Sequence, residues 1–561
     1  MSGVLACLRL AILGIFLYDP KNPIIYFSIG QLIAAIALFL AFTQLKKPII
    51  KFRIIVGKIK DKTINIIFII AIIFVFIAAF LPFIPGHSIP FLGYPIFWEF
   101  IAGGLFVGGA IYLIITINKQ ALFSSKNAKY FLKECTSMIA KGNDEELREL
   151  ADEINVSIEP IIKQCKSYDV LKARDAKERG EQYELDIATA IAFSILDLWS
   201  DKSFCKNIVC KVPRTASEIF KQIINYKLYD NGGYALTREL LHQAFSNQDS
   251  ILMKESDYSG LGFFKKFTNT IFNNWEFVES NHRPLQSWEY YENQIKPWQV
   301  EKYCSCLKMS IHSYFKAEDF FQFPSALYVG IDELANFALY QISSINNLSE
   351  SDLYKSINFD ILSKIQHGFE EIVDIVEKYQ DEIPDYELNE NDYDRFEDKS
   401  IYGVVAYGIY EYFEKLAMVH CNDRALRMVA IELWIKVFDL KESEQSKSQL
   451  EIGKRLLIHI NKKIDENLDE KQRWYPAITR LIINLNGINE SDDEKEDRMG
   501  SIFHRDFIKQ LKTKYPILAN HDPKFAADLL PENVIYDKEK NELRKIGLRQ
   551  GVTILKLDNV S

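Results

Sequence analysis

Apolar residues are distributed unevenly along this chain: before Phe123 they form uninterrupted runs, and after it they recur at helical spacing. Ile24 to Phe42, Ile64 to Phe83 and Ile96 to Ile117 span 19, 20 and 22 residues, with Glu99 the only formal charge among them. A hydrocarbon core of about 30 Å takes roughly 20 helical residues to cross, and lipid cannot satisfy an open backbone. The pattern predicts three membrane-spanning helices. Gly3 to Tyr18, shorter and interrupted by Arg9, predicts a fourth that is tilted or partly interfacial. A signal peptide is disfavoured, because the charged n-region and the A-x-A cleavage site are missing.

Beyond Phe123 the apolar period is mostly 3.6. Asn143 and Glu146 form a capping pair for a helix carrying Leu147, Leu150 and Ile154, expected to stop near Pro160. Leu185 to Trp199, Ala216 to Tyr226 and Tyr234 to Phe245 also read as helices. Ile361, Ile365, Phe369, Ile372 and Val376 share one helical face, as do Leu426, Val429, Leu433, Trp434 and Val437. Val552 to Leu557 alternates and predicts a strand. Asp381 to Lys399 and Glu490 to Asp497 are acidic loops. The expected architecture is all-α. A multi-pass transmembrane helical bundle over 1–123, with spans near 3–18, 24–42, 64–83 and 96–117, precedes a large mainly helical cytoplasmic region divided into 124–390 and 400–561.

Charge orients this scheme. Lys46, Lys47, Lys51, Arg53, Lys58, Lys60 and Lys62 oppose only Asp61 between the second and third runs, and such a loop stays cytoplasmic. The expected location is a bacterial plasma (inner) membrane, with both termini and the C-terminal bulk in the cytoplasm. Lys46, Lys47, Lys51, Arg53, Trp98 and Glu99 would lie at the membrane interface, and Gly104 and Gly108 form a GxxxG for close helix packing. Residues 1–123 hold 10 Lys+Arg and 3 Asp+Glu, so the remainder, with 57 and 73, carries a net charge of −16. That field disfavours nucleic acid as a partner, although a local basic groove is compatible with it. The expected partners are the lipid bilayer and a protein partner or a second copy. Eight scattered cysteines make no disulfide framework and are expected to be reduced thiols.

Chemistry is harder to find. The chain has no G-x-x-x-x-G-K-[ST], H-E-x-x-H, G-x-S-x-G or G-x-G-x-x-G, and no cofactor is expected. Arg238 and His242, four apart on one predicted helix, are the candidate catalytic pair, able in principle to hold a phosphate and move a proton. Helical RNases resembling the HEPN family use such a pair one residue farther apart. Arg455 and His459 repeat the shorter spacing, and Arg498 to His504 fits the longer one. Cys205, Cys210, Cys304, Cys306 and His312 could be assembled into a zinc site only on paper: zinc pairs sit two to four residues apart in a turn, whereas Cys304 and Cys306 on a helix would point to nearly opposite sides, so no metal is expected. Aromatic residues crowd Trp275 to Phe323; they read as core, with Trp275, Trp288 and Trp298 the candidates for a recognition surface. The preferred expectation is a non-enzymatic, membrane-anchored sensor, effector or scaffold of the layout used in bacterial stress and phage defence. The alternative is a tethered hydrolase or nuclease with a dispersed site.

Overall fold

The structure, a computed structural model, describes residues 48–57, 61–80, 95–166, 179, 186–229, 232–255, 266–281, 284–286, 295–317, 323–345, 348, 350–384, 400–418, 423–438, 445–468, 477–489, 499–547 and 551–558. The chain divides into two units, Met1–Gln243 and Ala244–Ser561. Both are mainly helical, as the 3.6 period demands.

The first unit contains α1 (Pro48–Val56), α2 (Asp61–Phe80), α3 (Pro95–Asn118), α4 (Ala128–Lys141), α5 (Asp144–Glu153), α6 (Ile158–Lys166), α7 (Ile187–Trp199), α8 (Lys202–Lys211), α9 (Pro213–Asn225) and most of α10 (Gly232–Ser246). Local signals start them. The Asn143, Asp186 and Asp201 side chains accept the N–H of Glu145, Thr189 and Phe204 in the first turns of α5, α7 and α8. Pro213 opens α9, where its missing N–H is not needed. The expected stop at Pro160 comes earlier: α5 ends at Glu153, a 3₁₀ turn follows over Ile154–Ser157, and Pro160 sits in the first turn of α6. Proline is tolerated there for the same reason.

Glu153 is the polar centre of this unit. It is 1% exposed, takes Arg53 Nε and Nη2 at 2.9 and 2.7 Å, and accepts the Ala121 N–H at 2.7 Å. Ser157 Oγ accepts the Phe123 N–H and donates to the Ala121 carbonyl, each at 2.9 Å. Phe131 meets Phe52 and Phe123 edge-on beside them.

The membrane expectation is corrected here. Among the described residues no helix is long and apolar enough to cross a membrane. The runs 3–18 and 24–42 lie outside the described residues, as do Lys46 and Lys47. That no described helix is long and apolar enough overturns the multi-pass transmembrane bundle and the inner-membrane location with its cytoplasmic termini and bulk. The basic stretch expected as a cytoplasmic loop contains α1, with Phe52 and Val56 fully buried against the unit and Arg53 committed to Glu153. Lys51 is exposed. α2 and α3 pack together, with Phe74 5.2 Å from Trp98 between ring centroids, and Glu99 is half-buried on α3. Among the described residues a Cβ at Gly104 or Gly108 would meet nothing within 4 Å. Ile66, Ile69, Ile73 and Phe76 of α2 and Val107, Ile111 and Ile115 of α3 are exposed.

The second unit contains α11 (Lys266–Phe272), α12 (Trp275–Asn281), α13 (Pro297–Phe315), α14 (Ser325–Ile345), α15 (Ile357–Lys378), α16 (Ile401–Met418), α17 (Asp423–Phe438), α18 (Lys447–Leu468), α19 (Ala477–Asn486), α20 (Met499–His521) and α21 (Pro523–Asp528). The predicted stripe on α15 is buried throughout, and Val429, Leu433, Trp434 and Val437 of α17 are buried as expected. The acidic boundary at Asp381–Lys399 lies mostly outside the described residues, which stop at 384 and resume at 400. After α21 comes an antiparallel sheet in the order β1 (Val534–Asp537), β2 (Glu542–Ile546), β3 (Val552–Lys556). The strand predicted near Val552 is β3. Its partners escaped notice because each has only one inward apolar position that is fully committed, Val534 and Leu543.

Candidate functional site

Helices α13 and α15 run parallel. Glu301 pairs with Lys364 at 3.1 Å, Lys308 reaches both oxygens of Glu371 at 2.7 Å, and His312 Nδ1 lies 3.1 Å from the Tyr379 hydroxyl. The partner's number rises with its own along the whole contact, which only a parallel pair allows. Close approach is permitted by Gly368, where a Cβ would stand 2.6 Å from Cys304 Sγ. Each helix is started locally. Gln299 Oε1 accepts the Lys296 N–H at the head of α13, and the Ser356 hydroxyl accepts the Asn358 N–H at the head of α15.

Along the outer side of this pair, with α11 as the opposite wall, lies an open cleft of about 720 Å³. Asn269 and Asn273 face it from the α11 side, and Ser305, Lys308, His312 and Lys316 from α13; Glu371, Asp374, Lys378 and Tyr379 complete it from α15. The α13 residues recur at helical spacing, so they form one polar stripe. The opposite face of α13 is core: Tyr303, Cys306, Leu307 and Ile311 are buried, and the Tyr303 hydroxyl lies between the Leu285 and Gly330 carbonyls at 2.7 and 2.8 Å.

The cleft's charges are partly spoken for. Lys308 is neutralised by Glu371, and Asp374 by Lys436 at 2.6 Å. Lys316 and Lys378, at the C-terminal ends of the two helices, are exposed and have no ion-pair partner among the described residues. Tyr379 stacks on Phe315 at 4.4 Å, which fixes the ring that His312 meets. Burial, reinforced by Lys378, Lys316 and Lys308, lowers the His312 pKa and favours the neutral ring. Ser305 and His312 are seven residues apart, a rise of about 10 Å along a helix. They make no hydrogen-bonded nucleophile and base.

The sequence-predicted residues fall elsewhere. Arg238 and His242 are half-buried on α10, and neither lines the cleft. Arg455 is buried over the Tyr402 ring and bound to Glu451, while His459 packs against Tyr407 and Tyr410. Those roles are structural. His504 meets the Asn489 carbonyl at 2.9 Å, and Arg498 lies outside the described residues. Trp275 packs edge-on against Tyr314, Trp298 is half-buried in the first turn of α13, and Trp288 lies outside the described residues. Cys205, Cys304 and Cys306 are buried free thiols, and Cys210, also free, is half-buried; desolvation pushes Cys304 up to about 12. Among the described residues no group of His, Cys, Asp or Glu has the arrangement of a metal site. The cleft was missed because its two helices supply residues some 63 positions apart; the available signal was the Lys308, His312, Lys316 spacing at i, i+4, i+8.

A pH dependence follows from the histidines. Burial lowers the pKa of His504 as well, opposed by the Asn489 carbonyl and aided by Lys545. A histidine whose folded pKa lies below its unfolded value contributes stability above about pH 6.5, lost as pH falls toward the folded pKa. Urea midpoints are therefore expected to drop between about pH 7.5 and 5.5, and His312→Gln together with His504→Gln should flatten the drop. An unchanged slope in the double variant would assign the acid sensitivity to other groups.

Compared with family models, curated proteins and solved structures, the chain shows no significant match to any of them.

Proposed function

We propose that this protein is a helical sensor or effector that works by binding rather than by catalysis, with the α11–α13–α15 cleft as its input site. The carrying observation is the chemistry of that cleft. It has the volume of a small-molecule site, yet Lys308, Glu371 and Asp374 are engaged in ion pairs, and its serine and histidine are too far apart to act as a pair. The exposed apolar face of α2 and α3 supports the same reading, since an effector needs a surface on which to act.

Hydrogen exchange on the full chain, in the presence of a panel of nucleotides, sugar phosphates, dicarboxylates and amino acids, tests this. One class should protect the amides of α13 and α15 and be recovered chemically unchanged. Turnover of any member that is lost in His312→Ala or His242→Ala, at unchanged melting temperature, would replace this reading with that of a hydrolase.

A further inference from the structure

We propose that the cleft takes a small phosphorylated molecule, with the ammonium groups of Lys316 and Lys378 holding the phosphate and the Asn269 and Asn273 amides and the Tyr379 ring meeting the remainder. This rests on the cleft being a binding site, as argued above.

Charge placement leads to the phosphate. The chain as a whole is acidic, at −9, but the cleft is lined by three lysines, Lys308, Lys316 and Lys378, against two carboxylates, Glu371 and Asp374. Two of its carboxylates, Glu371 and Asp374, are already matched by Lys308 and Lys436. That leaves Lys316 and Lys378 as the excess charge. A recess of one sign within a surface of the other concentrates anions. Every cation lining the recess is a lysine apart from His312; the lysine head is a compact, rotatable charge with three donors, suited to a phosphate whose oxygens diverge. Two primary amides on the facing wall offer donor and acceptor together, and so suit a polar body rather than a hydrocarbon one. The volume of about 720 Å³ admits a nucleotide-sized molecule. A nucleic acid strand is disfavoured, because the acidic surface beyond the cleft repels its neighbouring phosphates.

His312 couples this binding to protons. The groups that face it are Lys308 and Lys316 on its own helix, and Glu371, Asp374, Lys378 and Tyr379 on α15; those contributed from α11 are uncharged. A phosphate beside it offsets the lysine repulsion and favours the imidazolium. Binding then takes up a proton and tightens as pH falls through the imidazole range.

The test is calorimetry of the full-length chain with pyrophosphate and ATP, using citrate and adenosine as controls, in the wild type and in Lys316→Met/Lys378→Met. Both substituted residues are exposed, so the fold is expected to survive. Pyrophosphate and ATP should bind, the double variant should weaken them on the order of a hundredfold, and wild-type affinity should rise from about pH 7.5 to 6 with loss of that rise in His312→Gln. Equal binding of citrate would overturn the phosphate assignment, and unchanged affinity in the double variant would overturn the site. Displacement of pyrophosphate by phosphatidate-containing vesicles would move the phosphate to a lipid headgroup and overturn the small-molecule reading. Failure of every phosphate compound, while another class still protects α13 and α15, would sink this inference and leave the binding function standing.

Discussion

Glu255→Ala is expected to lower the stability of the second unit by about 4 kcal/mol. The carboxylate is 7% exposed and accepts the backbone N–H of Phe267 and Thr268 at 2.7 and 2.8 Å, together with the Thr268 hydroxyl. Those two N–H groups belong to the first turn of α11, where no helical carbonyl is available to them. Removing the acceptor leaves two buried donors and a hydroxyl without a partner, each costing about 1–3 kcal/mol. Lys302, itself 8% exposed, donates to the Glu255 main-chain carbonyl at 2.6 Å, a bond the substitution leaves in place. Glu255→Gln keeps one acceptor and should cost roughly half as much. Urea unfolding followed by circular dichroism would show both. Because α11 carries one wall of the cleft, ligand affinity should fall with stability in this variant, whereas the lysine variants should separate the two. A loss under about 1 kcal/mol for Glu255→Ala would mean that other acceptors or water replace the carboxylate.

Gly408→Ala should destabilise by about 2–3 kcal/mol through the contact of α16 with α14. A Cβ at this position would lie 2.0 Å from Ile331 Cγ2 and 3.3 Å from Phe369 Cε1. Ile331 is 1% exposed and branched, so its methyl group has nowhere to turn, and the helices must part. Ile331→Ala removes that methyl and by itself should cost about 2–5 kcal/mol as a cavity. Combined, the two substitutions should cost distinctly less than their separate losses added together, because each relieves the other. Strict additivity in thermal or urea melts would show that the close approach of these helices is not what requires glycine at 408.

These two positions illustrate unequal legibility. The apolar stripe of α15 could be read from Ile361, Ile365, Phe369, Ile372 and Val376 because a helix buries residues at its own period, whatever it packs against. Gly408 carried no such signal. Its requirement comes from a methyl group 77 positions away in the chain. Glu255 likewise looks like one more acidic residue beside a loop until α11 is seen to begin at its carboxylate. The aromatic crowd between Trp275 and Phe323 signalled density correctly, and Tyr303, Tyr314 and Phe315 are core. Their periodicity does not say which side of α13 stays polar.

The N-terminal expectation went wrong for a different reason. Run length and hydropathy establish that a helix is apolar, and α2 and α3 are helices with apolar surfaces. They do not establish what surrounds it, and the lysine-rich stretch read as a loop contains α1, packed on the unit through Phe52, Val56 and Arg53.

By itself, then, the sequence determined the helical class, the Asn143 cap that begins α5, the buried stripes of α15 and α17, and one strand, since each depends on residues within a few turns of one another. Tertiary structure alone decided which polar side chains meet. Lys308 and Glu371, His312 and Tyr379, and the lysines at the ends of α13 and α15 come together because two helices more than forty residues apart in the chain run parallel in register. No local pattern encodes that alignment, because it is the joint outcome of core packing around Cys304 and Gly368 and the ion pairs flanking it.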